Sequence, residues 1–182
     1  YPDAWRSIHH AIVIPTYQEP ETTLVRTLSA LQKQSLPGKQ LHIMLSFEER
    51  EGEEARVKAK ILQARFESSF GSLSATFHPD IEGEVKGKSS NTAWGARQIK
   101  RLLVDERKIP LGTITITSED ADAMFHSSYF AALTYYFLKS PAPYNRIWQG
   151  AIMFYNNIWQ VPTPVRVLAS LFSVLQMYVL VR

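Results

Sequence analysis

The chain of 182 residues is 45% hydrophobic and 12% aromatic, with a formal net charge of only +3. That length and composition support a substantial core in one domain with a small appendage, and exclude an intrinsically disordered chain. Basic residues are mixed with acidic ones except near residues 86–88 and 100–108, which argues against a nucleic-acid partner, and the absence of cysteine excludes disulfides, thiolate zinc sites and cysteine nucleophiles. The opening residues, from Tyr1 to Trp5, contain neither an initiator methionine nor a signal-peptide pattern, so the chain is expected to be a piece of a longer polypeptide.

Residues 11–14 form a compact β-branched run stopped by Pro15 and read as a buried first strand, with His9 and His10 ahead of it. Pro15 to Pro20 then make a loop at its carboxyl end. Leu24, Leu28 and Leu31 recur at helical spacing and predict a helix from about Glu21, with Pro37 and Gly38 beyond its end. Residues 41–45 read as a second strand leading into Glu48. A helix over residues 53–66 follows, with Val57, Ile61 and Leu62 on its apolar side, and residues 73–77 make a third strand. The polar stretch 78–88 is a surface loop that delivers Lys88 to a helix capped by Ser89 or Ser90, whose buried face is Ala93, Ala96, Ile99 and Leu103.

Residues 113–117 form a β-branched run that reads as a buried fourth strand and ends in Glu119, Asp120 and Asp122. Acidic groups there would stand at the lip of a parallel sheet, and Asp120 and Asp122, two apart in an extended segment, leave the same face and can approach one cation. The same residues also suit a solvated turn or a helix cap. A helix capped by Ser127 or Ser128 follows, with Phe130, Leu133 and Phe137 on one face, until Pro141 and Pro143 break it. The alternation of strand and helix predicts an α/β fold with a parallel sheet wrapped by helices.

Residues 147–155 are apolar and aromatic and read as a strand or a wall beside the site. Beyond Pro164, Leu168, Leu171, Phe172, Leu175 and Tyr178 form one helical stripe and Arg166, Ser170, Ser173 and Gln176 another. The uncharged stretch 167–181 is shorter than the ~20 residues of a membrane span, so both a membrane-interface helix and a helix packed on the domain satisfy the pattern. The expected division is a core over residues 1–160 and an amphipathic helix over 161–182.

Three separated segments carry a resemblance. They are Ile12-Val13-Ile14-Pro15-Thr16-Tyr17-Gln18-Glu19 at the first strand, Gly87-Lys88-Ser89-Ser90-Asn91 before a mid-chain helix, and Asp120-Ala121-Asp122 after the fourth strand. In order and spacing the chain resembles the family 2 glycosyltransferases, closest to the processive membrane branch that includes cellulose and hyaluronan synthases, over most of residues 8–160. The resemblance implies a GT-A fold, Rossmann-like with a mostly parallel sheet, and metal-dependent, inverting transfer from a nucleotide diphosphate sugar, usually a UDP-sugar. The acceptor would be a carbohydrate or a lipid-linked molecule, and the catalytic domain would face the cytoplasmic side of a membrane surface.

On the same resemblance, Pro15, Thr16, Tyr17 and Glu19 line the nucleotide, with Tyr17 offering a stacking face and Glu19 a carboxylate for base or ribose. Glu48 is the nearest substitute for an Asp that such enzymes place after the second strand to contact uracil. Lys88 would neutralise the diphosphate and Asn91 would hold a polar position at the helix start. Asp120 and Asp122 would hold Mg²⁺ or Mn²⁺, with Asp120 also touching the ribose, and Trp148 and Gln149 would lie on the acceptor side.

The chain departs from the family in one respect. An inverting transferase needs a general base for the acceptor hydroxyl, supplied in the family by an Asp of a Thr-Glu-Asp-like motif, with a Gln-x-x-Arg-Trp motif later in processive members. Neither motif is present, and no Asp or Glu follows Asp122. The base is therefore expected outside this chain, and the chain alone is expected to turn over poorly. A non-catalytic nucleotide-sugar-binding or scaffold domain would also lack the base. A nucleotidyltransferase should carry a glycine-rich loop after its first strand, and residues 15–20 hold no glycine.

Overall fold

The computed structural model describes residues 3–150, 152–154 and 158–180. Strands β1 (His9–Pro15), β2 (Leu41–Glu48), β3 (Ser72–His78) and β4 (Ile114–Ser118) form one sheet in the order β3-β2-β1-β4. Every pairing is parallel, with Ile12 opposite Ile43 and Thr117, and Met44 opposite Ser74. Helices α1 (Glu21–Gln32), α2 (Glu53–Phe66), α3 (Lys88–Lys100), α4 (Tyr129–Lys139) and α5 (Thr163–Leu180) complete the expected α/β architecture. The chain divides into two compact units, Tyr1–Pro141 and Ala142–Arg182.

The strand order decides which face each crossover covers. From β1 to β3 the chain steps in one direction, whereas the step from β3 to β4 jumps back over β2 and β1. Right-handed crossovers therefore put α1 and α2 on one face and α3 on the other. Side-chain alternation agrees: Ala11, Val13 and Met44 pack with Ile99 and Leu103 on the α3 side. On the opposite face His10 reaches Thr134 of α4, and Ile12, Ile14, Ile43 and Leu45 share its strand parity. These four are fully buried, as are Leu24, Leu28 and Leu31 of α1. Each such side chain contributes about 1.5–3 kcal/mol on burial.

Several expectations change in detail. His9 and His10 are the first residues of β1 rather than a lead-in to it. Helix α2 buries Leu62 as expected, together with Ala55, Ala59 and Phe66 at helical spacing, while Val57 and Ile61 fall off that stripe and are exposed. Helix α3 is capped by Gly87, not by Ser89 or Ser90, and its inward positions are Asn91, Gly95 and Ile99, so Ala93 points outward. The hydroxyl of Ser90 instead donates to the Gly87 carbonyl at 2.8 Å. Past Lys100 the helix continues as a π-helical stretch, Arg101–Glu106.

β4 forms, but as an edge strand that is only half covered: Thr115 is buried while Ile116 is 61% exposed. Ser128 precedes α4 without a side-chain cap; its backbone N–H donates to His126 Nδ1 at 3.2 Å. Within the second unit, residues 147–150 and 152–154 form no strand, and the remainder of the expected 147–155 segment, Ala151 and Tyr155, lies outside the described residues, as do Asn156 and Asn157. Along α5 the inward residue is Ser173, which donates to the Ala169 carbonyl and accepts from the Phe154 N–H, whereas Leu168, Leu171, Phe172, Leu175 and Tyr178 are exposed. Among the described residues no helix is long and apolar enough to cross a membrane.

Candidate functional site

In an open parallel sheet ligands bind outside the carboxyl ends of the strands where the strand order reverses. Here that point lies between β1 and β4. It is flanked by residues 16–20 after β1 and 119–122 after β4, and the amino end of α3 brings Lys88 to the same crevice. The Lys88 ammonium forms an ion pair with Asp120, both side chains remaining more than half exposed. Glu119 and Ala121 are buried while Asp120 and Asp122 are exposed; the expected extended segment is instead a turn over residues 121–122, closed by the Ala123 N–H donating to the Asp120 carbonyl at 3.0 Å.

Asn91 explains why Lys88 stands there. Its side chain, 2% exposed, accepts from Ser46 Oγ at 2.6 Å and donates to the Ser46 carbonyl at 2.8 Å and the Thr16 carbonyl at 3.3 Å. The first turn of α3 is thereby pinned to the ends of β1 and β2. Asn91 holds the lip together from beneath it. Gly95, one turn later, lets the helix approach the sheet: a Cβ there would meet Val13 Cγ1 at 2.7 Å.

The loop after β1 is fixed by a residue that the sequence did not single out. Glu51 accepts from the backbone N–H of Gln18 at 2.7 Å and of Glu48 at 2.9 Å, joining the β1 and β2 lips through one carboxylate. Gln18 is left-handed at φ 56, a conformation disfavoured by roughly 1–2 kcal/mol that this bond helps to hold. The carbonyl of Glu19 accepts from Lys58 Nζ at 2.7 Å. Tyr17 is exposed, and the Arg50 guanidinium lies over its ring at 4.2 Å from the centroid. Pro15 ends β1, and Thr16, 3% exposed, donates its backbone N–H to the Ser46 carbonyl at 2.9 Å.

Glu48, at the end of β2, is buried, with its Oε2 at 3.9 Å from Arg50 Nε and 3.7 Å from His78 Nδ1. The other buried carboxyl is Glu119, whose two oxygens have no hydrogen-bond partner. Burial, and secondarily the neighbouring Asp120 carboxylate, raise its pKa well above the carboxylate range, and Glu119 in turn contributes to the upward shift of Tyr129 after burial. Strand parity could have marked Glu119 as inward, since it continues Thr115 and Thr117.

The donor chemistry suits a hard divalent cation: Asp120 and Asp122 are exposed oxygen donors at one turn, and two carboxylates would leave coordination positions for water and phosphate. Among the described residues no cluster of three or more acidic or histidine side chains converges on a cation position. A metal would thus depend on a ligand's phosphates as well as on the two aspartates. Of the acceptor-side candidates, both in the second unit, Trp148 is half-buried with Arg146 near its ring, and Gln149 is exposed.

No protein-family model matches the chain, and no curated protein matches it. Among solved structures it is similar to the crystal structure of S. aureus TarS, with 11% sequence identity and a TM-score of 0.47 over 72% of this chain. The match takes in 20% of the TarS chain, so this chain spans about a fifth of that protein's length.

Proposed function

We propose that this chain is the donor-binding portion of a metal-dependent, inverting glycosyltransferase that uses a nucleotide diphosphate sugar, a UDP-sugar by the motifs at residues 12–19, 87–91 and 120–122. The observation that carries this reading is the meeting of Lys88 and Asp120 at the strand-order reversal, with Asp122 turned to the same solvent. A diphosphate needs both an ammonium and a cation, and the crevice offers one and the ligands for the other. Mg²⁺ or Mn²⁺ on Asp120 and Asp122 would stabilise charge on the leaving diphosphate. Tyr17 would stack on the base, Glu19 would accept from base or ribose, Glu48 would take the base edge, and Lys88 would turn from Asp120 to the phosphates. Asn91 and Thr16 support those groups from below.

No Asp or Glu follows Asp122, so on this reading residues 123–182 supply no carboxylate base for the acceptor. Trp148 and Gln149 are kept for the acceptor, a carbohydrate or lipid-linked molecule. The exposed apolar stripe of α5, in a unit whose charged residues are all arginines, supports placement against a membrane surface, with the catalytic domain on the cytoplasmic side. Calorimetric titration with UDP and Mn²⁺ tests the reading on the wild type, Asp120→Ala and Asp122→Ala. Binding that weakens tenfold or more in both variants is expected. Equal affinity in all three proteins would remove the metal assignment, and a wild type that binds no nucleotide would leave the non-catalytic scaffold reading in its place.

A further inference from the structure

Helix α1 buries Leu24, Thr27, Leu28 and Leu31, a stripe at helical spacing in which one hydroxyl stands among leucines. Thr27 is fully buried, and a threonine in mid-helix commonly turns its hydroxyl back to the carbonyl one turn earlier. Here Oγ1 instead donates across to the carbonyl of Ala121 at 2.6 Å. Ala121 lies between the two carboxylates proposed for the cation and is itself buried, whereas Asp120 and Asp122 are exposed. Just beyond α1, the Gln34 amide donates to the His126 carbonyl at 2.9 Å and the Ser35 N–H to the Ser127 carbonyl at 2.8 Å. The far part of the segment that leads to α4 is thus anchored separately from the turn.

The closing bond of the turn, from the Ala123 N–H to the Asp120 carbonyl, leaves one freedom open. β-Turns of types I and II share that bond and differ in the orientation of the central peptide, which here joins Ala121 to Asp122. A peptide unit is planar, so a bond to its carbonyl fixes the whole plane and the direction in which the chain enters Asp122. Thr27 makes that bond from a buried helix. Turning the plane over would break it, strip the buried Ala121 carbonyl of this partner, and bring Asp122 to positive φ, the type II geometry that favours glycine. We infer that Thr27 is a positioning residue for the cation, holding the central peptide of the turn so that Asp120 and Asp122 keep one fixed relation to each other. With no exposed surface, Thr27 acts on a ligand only through that turn. The same helix starts at Glu21, directly after the loop proposed for the nucleotide, so one rigid element aligns the nucleotide loop with the metal turn.

This inference rests on the metal-dependent reading and adds a residue to it, and its test separates the two. UDP is titrated calorimetrically, once with Mn²⁺ and once with EDTA, into the full 182-residue chain and into Thr27→Val and Thr27→Ser, and thermal unfolding of each protein is recorded. Valine keeps the shape and removes the hydroxyl, whereas serine keeps the hydroxyl and loses a buried methyl group, so both variants should melt below the wild type. Thr27→Val should bind UDP with Mn²⁺ about tenfold more weakly, the lower end of the loss when a group that orients a metal ligand is removed, and bind UDP with EDTA as the wild type does. Thr27→Ser should recover the Mn²⁺-dependent affinity to within about twofold while its melting temperature stays low. Thr27→Ala, a good helix former that also lacks the hydroxyl, takes the place of valine if that variant does not fold. Three results overturn the inference and leave the cation site standing: wild-type Mn²⁺-dependent affinity without the hydroxyl, equal weakening with Mn²⁺ and with EDTA, or a serine variant weakened as much as valine. A wild type that gains no affinity for UDP from Mn²⁺, or binds no UDP, overturns the metal reading and the inference together.

Discussion

Gly95→Ala sets two opposing effects of known size against each other at the point where α3 presses on the sheet. Alanine is a better helix former than glycine by about 1 kcal/mol, so in an open helix the change would stabilise the fold. At this position the new Cβ would lie 2.7 Å from Val13 Cγ1 and 3.0 Å from both Cβ and Oγ of Ser46. Val13 is 1% exposed and β-branched, with little freedom at χ1. Ser46 is tied through its hydroxyl to Asn91. Neither can retreat cheaply, and overpacking of this kind costs about 1–3 kcal/mol. The expected net effect is a destabilisation of about 1 kcal/mol, read in urea denaturation as a lower midpoint with an unchanged slope. Val13→Ala removes the atom that is struck, so Gly95→Ala should cost less in that background, and a double-mutant cycle measures the difference. A Gly95→Ala protein more stable than the wild type, or one equally destabilised with and without Val13, would refute this account of the α3 contact.

Two more outcomes follow from side chains already placed. His10, held between Thr115 and Thr134, has its pKa pushed down to about 3 by burial, with His9 and His42 adding to the effect; His42 is pushed down to about 4 by burial, then by His9 and Arg107. Both are neutral in the fold and protonate near 6.5 once unfolded, so the unfolded chain binds more protons below that value. Stability should therefore be insensitive to these groups above pH 6.5 and fall as pH drops toward 4 and then 3, by up to about 1.4 kcal/mol per pH unit for each histidine. Thermal unfolding of the wild type and His10→Gln between pH 7 and 4 checks this, and an equal slope in both proteins would contradict it. Lys88→Ala should act in opposite directions on two ligands. Freed of its ion pair, Asp120 should take Mn²⁺ alone roughly two- to fivefold more tightly, the range of an exposed ion pair, while UDP binds more weakly. Titration of each ligand separately gives the two signs, and a loss of affinity for both would mean that Lys88 supports the site rather than competes for it.

The sheet was legible because short, buried apolar runs such as residues 11–14 and 41–45 have few other uses, and α1 because Leu24, Leu28 and Leu31 are large and regularly spaced. Legibility failed where contact depends on small residues. Hydropathy favours Val57 and Ile61, but Ala55 and Ala59 allow α2 to approach, and nothing in the composition of α3 announces that Gly95 is its closest point to β1. At the site, Asp120, Asp122 and Lys88 stood out as charges at element ends, and the fold brings Lys88 and Asp120 together. Glu51 did not stand out, because its importance comes from the two backbone N–H groups it accepts from, and Glu119, one of the three carboxylates read at the lip, is instead buried with neither oxygen partnered. Residues 147–155 have the composition of a strand without forming one where they are described, since composition does not specify a pairing partner.

The strand that leads into the two aspartates is one of the two edges of the sheet. β4 is hydrogen-bonded to β1 alone, with Ile116 open to water on one face. Fluctuations that detach an edge strand are the least costly openings a sheet has, and they would scatter Asp120 and Asp122 together. A ligand that grips Asp120 through a cation and Lys88 through a phosphate fastens β4 to α3 across β1. Occupancy of the crevice would then show itself first in slowed amide exchange along residues 114–118, before any change in the buried strands.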